Sequence, residues 1–505
     1  MSARGEPGTW QYLAYWAGDG SIDLKATLAA LPASDADAAR AITAEYPGWL
    51  RHGALTGWHV WDGTCHAPDD RGAVARVIVH WSDRVSRMLE DARLQAGTQA
   101  AEAGEAAGLS ETQLRKAVAK AWEPWQPAEK YAAGLRRSAG KTALEKYLAD
   151  LCMVPDAGLA ERNPETLNVA NGTLDLRTGT LRPHDPADGI TYCLPAAYDP
   201  AARCPLFWSM LSTVCGGRPD VTAYLARLLG YCALGHNAEQ RVIFIAGPTG
   251  TGKSKLLHIV SEVLGPLAHE SQPALICVTR HGRNARTENS VRGARLVTIT
   301  ETSEWMNIEE GQLKRLTGED VIAVDQHYAK RELRTPVTWT IVIATNQMPS
   351  LTNFDDALKR RVIVIPGGDT IPREMMDPLI ASRVLASERE GILALLAAGA
   401  REYFRSGLDP APLDVQVMTD AYAAEQDTVA QFLADVTRAS LNGHPAWIGQ
   451  AQAWKAYQDW SRGSARLTRN EFHVRMRRQP GIGYNDGSRR YEGIEWIPGS
   501  VPQEL

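Results

Sequence analysis

The stretch RVIFIAGPTGTGKS, Arg241 to Ser254, decides the fold. Val242, Ile243, Phe244 and Ile245 form a continuous apolar run, read as a buried strand that ends on glycine. Gly247-Pro248-Thr249-Gly250-Thr251-Gly252-Lys253-Ser254 then match G-x-x-x-x-G-K-[ST], and Lys253 to Leu264 read as a helix stopped by Gly265-Pro266. A strand before and a helix after give that pattern its meaning. The glycines let the backbone curl until successive N–H groups face one concavity, and the helix N-terminus adds partial positive charge. Lys253 brings a full charge to the same place, and the Ser254 hydroxyl suits a magnesium ion. These eight residues are expected to hold the phosphates of ATP, with Mg²⁺ as its companion.

A phosphate cradle of this kind needs a carboxylate for the metal and the attacking water, expected at the C-terminal end of the neighbouring strand. Arg295 to Glu301, RLVTITE, is a strand tipped with one acid. Glu301 is therefore expected to serve both as metal ligand and as activator of water, or to share these tasks with Glu304 or Asp320. A third buried strand, Ile341 to Asn346, ends in an amide placed to sense the terminal phosphate. Strands alternating with helices predict an α/β domain with a largely parallel sheet.

The whole chain bounds this reading without deciding it. A length of 505 residues, 44% hydrophobic and 22% charged, is ordinary for a protein of about three domains. No apolar run approaches the ~20 residues of a membrane span, and MSARGEPGTW has no signal-peptide core. A cytoplasmic protein without a membrane partner is expected. Seven cysteines, 65, 152, 193, 204, 215, 232 and 277, contain no C-x-x-C pair and read as inert thiols. A net charge of −5 does not favour nucleic acid, but a ring gripping DNA in its pore needs only local basic charge.

Five regions follow from the patterning. Residues 1–95 are mixed and Trp-rich, with Trp58 and Trp61 beside a turn at Asp62-Gly63. Residues 96–235 are mainly helical, with a hairpin at 167–181 about Asn171-Gly172; the Ala/Gly/Glu-biased stretch 92–107 reads as helix or linker. The ATPase core spans 236–370, a helical part 371–425, and a small terminal domain 426–505. Asp35 and Asp37 form a D-x-D, but in LPASDADAARAI they read as the capped start of a helix.

Three motifs between 247 and 346, with LKRLTGED (313–320) between the last two, resemble superfamily 3 helicases, in the phage, plasmid and poxvirus primase-helicase branch. GWHVWDGT (57–64), Asn168 to Leu181 and AAYDPAARCPLFW (196–208) are similar to that branch's helicase-associated region. The resemblance implies an α/β, AAA+-like ATPase core with an N-terminal helicase-associated α+β region. It implies Lys253, Glu301 and Asn346 as catalytic groups, and a pore hairpin within Lys314 to Arg334 whose His327, Lys330 and Arg331 contact DNA phosphates. It also matches Arg360-Arg361 to an arginine pair, one of which would reach a neighbour's γ-phosphate. A finger of that kind requires a ring, expected to be a hexamer. No primase-polymerase domain is recognisable, so a primase or polymerase would be a separate partner.

Thr468 to Arg478 reads as a helix with Phe472 and Met476 on one side, followed by two β-like stretches about Asp486-Gly487. Helix then hairpin is the outline of a winged helix, and eight arginines against two acids between 462 and 490 give it a basic face. Arg475 and Arg478 are the expected DNA contacts. The function expected is a DNA helicase for phage, prophage or plasmid replication, drawing single-stranded DNA through a ring at forked DNA. The competing reading is an ATP-switched initiator that binds origin DNA with little unwinding.

Overall fold

The computed structural model describes residues 24–154, 163–277, 285–300, 307–318, 321–324, 333–351, 356–440, 446–461 and 467–499, and divides into two compact units. The first takes the residues up to Asn163 with Asn168–Thr173 and Arg182–Cys193; the second takes Pro164–Leu167, Leu174–Leu181 and everything from Leu194 on.

In the first unit, strands Leu50–Gly53, Gly57–Trp61 and His66–Pro68 form an antiparallel meander, and Met153–Val154 joins its edge in parallel. The turn at Asp62-Gly63 is built by Asp62, whose Oδ1 accepts from the backbone N–H of Thr64 and Cys65 at 2.7 and 2.8 Å. Helices Asp35–Glu45, Ala73–Ala106, Gln126–Leu135 and Ser138–Leu151 close over a core that includes Ile42, Ile78, Trp81, Leu89, Trp125 and Leu148. Ser34 caps the first of these by accepting from Asp37 N, so the D-x-D is a helix start, as its sequence indicates. The helix Ala73–Ala106 runs through the Ala/Gly/Glu-biased stretch, which is helix and not linker up to Ala106.

The second unit is organised by a five-stranded parallel sheet: β1 (Val242–Ala246), β2 (Ala268–Glu270), β3 (Leu296–Ile299), β4 (Thr340–Thr345) and β5 (Val362–Pro366), in the order β5-β1-β4-β3-β2. Every residue of β1, β3, β4 and β5 is buried, which explains the unbroken apolar runs. Each fully buried Ile or Val contributes on the order of 1.5–3 kcal/mol.

One expectation is corrected here. The acid-tipped strand is not the neighbour of the phosphate-loop strand: β4 lies between β1 and β3, so the Asn346 strand is adjacent to the loop and the Glu301 strand is one place further out. Pairing in a parallel sheet is set by long crossovers, which local pattern does not report.

The last part of the mainly helical region expected over 96–235 is two helices, Pro205–Val214 and Pro219–Tyr231, broken where Gly216 and Gly217 take φ of 66° and 69°. Ile380–Ser406 crosses the second so closely that a Cβ on Gly230 would lie 2.3 Å from the nitrogen of Ala400. Fully buried Arg295 donates to the carbonyls of Ala233 and Thr166, both at 2.7 Å. The expected hairpin turn is present, between strands Thr166–Val169 and Gly172–Asp175.

At the C-terminal end, helices Thr428–Val436, Gln450–Trp460 and Arg469–Arg478 pack on a three-stranded antiparallel sheet in the order Trp447–Gly449, Arg490–Glu492, Gly483–Asn485. Phe432, Tyr457, Phe472, Met476 and Tyr491 form its core. Thr468 and Glu471 make a capping box at the start of the last helix.

Candidate nucleotide-binding site

Because the sheet is parallel, its strands deliver Gly247, Thr300 and Asn346 to one edge, the crevice where such sheets bind ligands. The loop Gly247–Gly252 bends on Gly250 and Gly252, with φ of 83° and 92°, and Gly252 starts the helix Lys253–Leu264. That helix points its N-terminus into the loop, so unpaired N–H groups and partial positive charge converge there. The glycines are closely fitted: a Cβ on Gly247 would lie 3.0 Å from Gly367 Cα, and Gly250 and Gly252 hold positive φ that an L side chain rarely adopts.

Lys253 is only 5% exposed. Its ammonium donates to the carbonyls of Gly247 and Pro248, both at 2.7 Å, to Thr251 Oγ1 at 3.1 Å and to Asn346 Oδ1 at 3.2 Å. The structure thus joins the lysine of the first motif to the amide of the third. All four partners are neutral, and burial lowers the lysine's pKa from its ordinary value. A buried cation solvated only by dipoles favours an anion beside it. Ser254 is exposed in the first turn of the same helix.

The cradle fits a nucleoside triphosphate by its donor set. Glu301, Glu304 and Asp320 lie outside the described residues, although β3 leads to the first of them. Val321–Val324 and Leu333–Pro336 pair antiparallel, forming the two arms of the expected hairpin; its turn, with His327, Lys330 and Arg331, also lies outside.

The two arginines of the pair differ in their surroundings. Arg361 Nη1 donates to Thr317 Oγ1 at 2.9 Å and Lys314 O at 3.2 Å, anchoring the last turn of the helix Glu310–Thr317. Arg360 is exposed, and its carbonyl accepts from Arg241 Nη1 at 2.6 Å. In the terminal domain Arg478 is exposed, whereas Arg475 is half-buried and its Nη2 has no hydrogen-bond partner among the described residues.

Sequence reasoning missed the segment that braces the loop. Gly367 N donates to Ala246 O at 2.5 Å, Ile371 N to Gly250 O at 3.1 Å, and Thr370 Oγ1 to Thr249 O at 2.8 Å. Arg218 holds the segment from behind through Pro366 O and Gly367 O, at 2.6 and 3.1 Å. Pro366-Gly367-Gly368 directly after a strand was the available clue.

Fold and site define a mixed α/β protein with a parallel sheet and a P-loop-like core. Residues 39–216 match the family described as D5 N terminal like, and residues 245–361 match a family described as of unknown function (DUF5906). The chain is 24% identical over 324 residues to a protein of Acanthamoeba polyphaga mimivirus carrying the provisional name helicase L207/L206, a match covering 60% of this chain and 33% of that protein. It is 35% identical over 71 residues to an uncharacterized mitochondrial protein, ymf21, of Marchantia polymorpha, covering 14% of this chain and 39% of that one. The chain therefore spans about a third of the length of these curated relatives. Among solved structures, the apo form of the NrS-1 C-terminal region superposes with a TM-score of 0.34 at 11% identity, covering 60% of this chain and 78% of that chain. Its D5-type domain and its helicase-named relative make the chain similar to the phage-type primase-helicase family. Among the described residues no helix is long and apolar enough to cross a membrane.

Proposed function

We propose that this chain is an ATP-driven replicative DNA helicase of superfamily 3, working as a ring. The observation that carries the reading is the Lys253–Asn346 contact within a glycine cradle at the C-terminal edge of a parallel sheet. The strand order supports an AAA+-like core, because it sets the polar sensor beside the phosphate loop and the acid one strand beyond. In this reading the loop N–H groups and Lys253 bind the β and γ phosphates, Asn346 orients the attacking water, and Glu301 accepts its proton. Mg²⁺ held by Ser254 and Glu301 would supply neutralisation of phosphate charge. Arg360, the more exposed of the pair, is the proposed finger into the neighbouring subunit. The arms Val321–Val324 and Leu333–Pro336 would carry His327, Lys330 and Arg331 into the pore against single-stranded DNA. Helix, strand, two helices and a hairpin in the terminal domain support a winged helix, with Arg478 and Arg475 as DNA contacts at the fork.

The test is hydrolysis of ATP with and without single-stranded DNA. The reading expects stimulation by DNA in the native chain and loss of at least 10²-fold in Lys253→Ala. Hydrolysis indifferent to DNA would instead support the origin-binding switch.

A further inference from the structure

Trp447 opens the first strand of the terminal sheet and is 46% exposed, although tryptophan is highly buried on average. Register explains why. Ile448 pairs with Tyr491, and both are buried toward the helices; Trp447 pairs with Glu492, and Gly449 with Arg490, so Trp447, Glu492 and Arg490 share the opposite, outer face. There the Arg490 guanidinium lies over the Trp447 ring at 3.4 Å from its centroid. Next to it Arg489, exposed, holds a φ of 51°, a conformation that non-glycine residues rarely adopt, and its carbonyl accepts from Gln450 N at 2.9 Å. Among the described residues the carboxylate of Glu492 shares the face and accepts from Asn485 Nδ2 at 3.2 Å.

A flat aromatic ring pinned by a cation matches the chemistry of single-stranded nucleic acid, whose bases offer free π-faces and whose phosphates need a cation nearby. Duplex DNA keeps its base faces stacked inside and offers the ring nothing to lie on. An apolar protein partner would be met by Arg490 and Glu492 around one ring, a poor match to an apolar surface.

We propose that Trp447, stacked with Arg490, is a stacking site for an unpaired base of a DNA single strand, with the Arg490 guanidinium facing the adjoining phosphate. This deepens the reading that the chain acts on DNA, and rests on it. It assigns the outer face of the hairpin to the single strand, separately from the arginines of the helix Arg469–Arg478.

The experiment uses the full chain without nucleotide. A single strand carrying 5-iodo-deoxyuridine is photocrosslinked and the attached peptide mapped, and affinities for that strand and for a blunt duplex of equal length are measured by anisotropy. The expected result is a crosslink at Trp447, a loss of about fivefold to a hundredfold in single-strand affinity for Trp447→Ala, and near-native affinity for Trp447→Phe. Duplex binding and the salt dependence of single-strand binding should be unchanged in Trp447→Ala, because no phosphate contact is removed. Melting temperatures of both variants verify folding. Crosslinks confined to other residues, native single-strand affinity in Trp447→Ala, or an equal loss on duplex would each overturn the stacking site while leaving the helicase reading standing. A native chain that binds neither strand nor duplex would sink both.

Discussion

Arg360 and Arg361 are adjacent in sequence and unequal in place. Arg361 spends its guanidinium on Thr317 and Lys314 at a helix end, so Arg361→Ala should cost stability, about 1–3 kcal/mol, measurable by urea denaturation. Arg360→Ala, at the more exposed position, should cost less stability than Arg361→Ala and abolish ATP hydrolysis; the reverse pattern would exchange the two roles. A second residue carries a pH effect. His473 is buried in the terminal domain, its Nδ1 within 2.6 Å of Tyr491 Oη, and burial, with Arg469 and Arg477 nearby, lowers its pKa from 6.5 to about 4. Protonation is therefore resisted by the folded state more than by the unfolded chain. Stability is full above pH 6.5 and declines as pH falls toward 4. Following the terminal domain's thermal transition across that window should show the decline in the native chain and its near absence in His473→Gln.

The elements whose causes are local are legible in the sequence. The cradle is eight contiguous residues between a strand and a helix, and the helix predicted over Lys253–Leu264 is found with those bounds. The capped helix at Asp35, the turn at Asn171-Gly172 and the helix ending at Arg478 are read from neighbours a few positions apart. What fails is what the chain assembles at a distance. Thr370 reaches Thr249 across 121 positions, and the insertion of β4 between β1 and β3 has no signature in any of the three segments. Glu388 is a further case. From the helix Ile380–Ser406 it accepts from the N–H groups of Leu206 and Phe207, both at 2.9 Å, and so caps a helix it is not part of. Glu388→Ala leaves one buried and one part-buried N–H group without that partner and should cost roughly 1–2 kcal/mol, with Glu388→Gln recovering part, by denaturant titration. Gly367 tests the brace directly. A Cβ there would meet Ala246 O at 2.6 Å and Gly247 Cα at 3.0 Å, backbone that cannot yield without moving the cradle. Gly367→Ala should weaken ATP binding at least tenfold in a calorimetric titration; unchanged affinity would make the brace dispensable.

For the whole molecule, the cradle and the exposed arginine raise a question that no single subunit answers. In the proposed mechanism Lys253 would act on phosphates bound to its own chain, whereas a finger supplied in trans would act on phosphates bound to another, so that one active site would draw on two copies. If Arg360 works within its own subunit, a chain lacking Lys253 and a chain lacking Arg360 are both dead, and mixing them adds nothing. If Arg360 works across an interface, random mixing in equal amounts creates about one interface in four with an intact lysine on one side and an intact arginine on the other. Hydrolysis by a mixture of Lys253→Ala and Arg360→Ala should then rise toward about a quarter of the native rate if interfaces fire independently, and less if firing must pass around the ring. The recovered activity should vanish on dilution, since it belongs to an assembly and not to a chain. Activity equal to the sum of the two dead variants at every concentration would exclude the shared site, and with it the main reason to expect a ring.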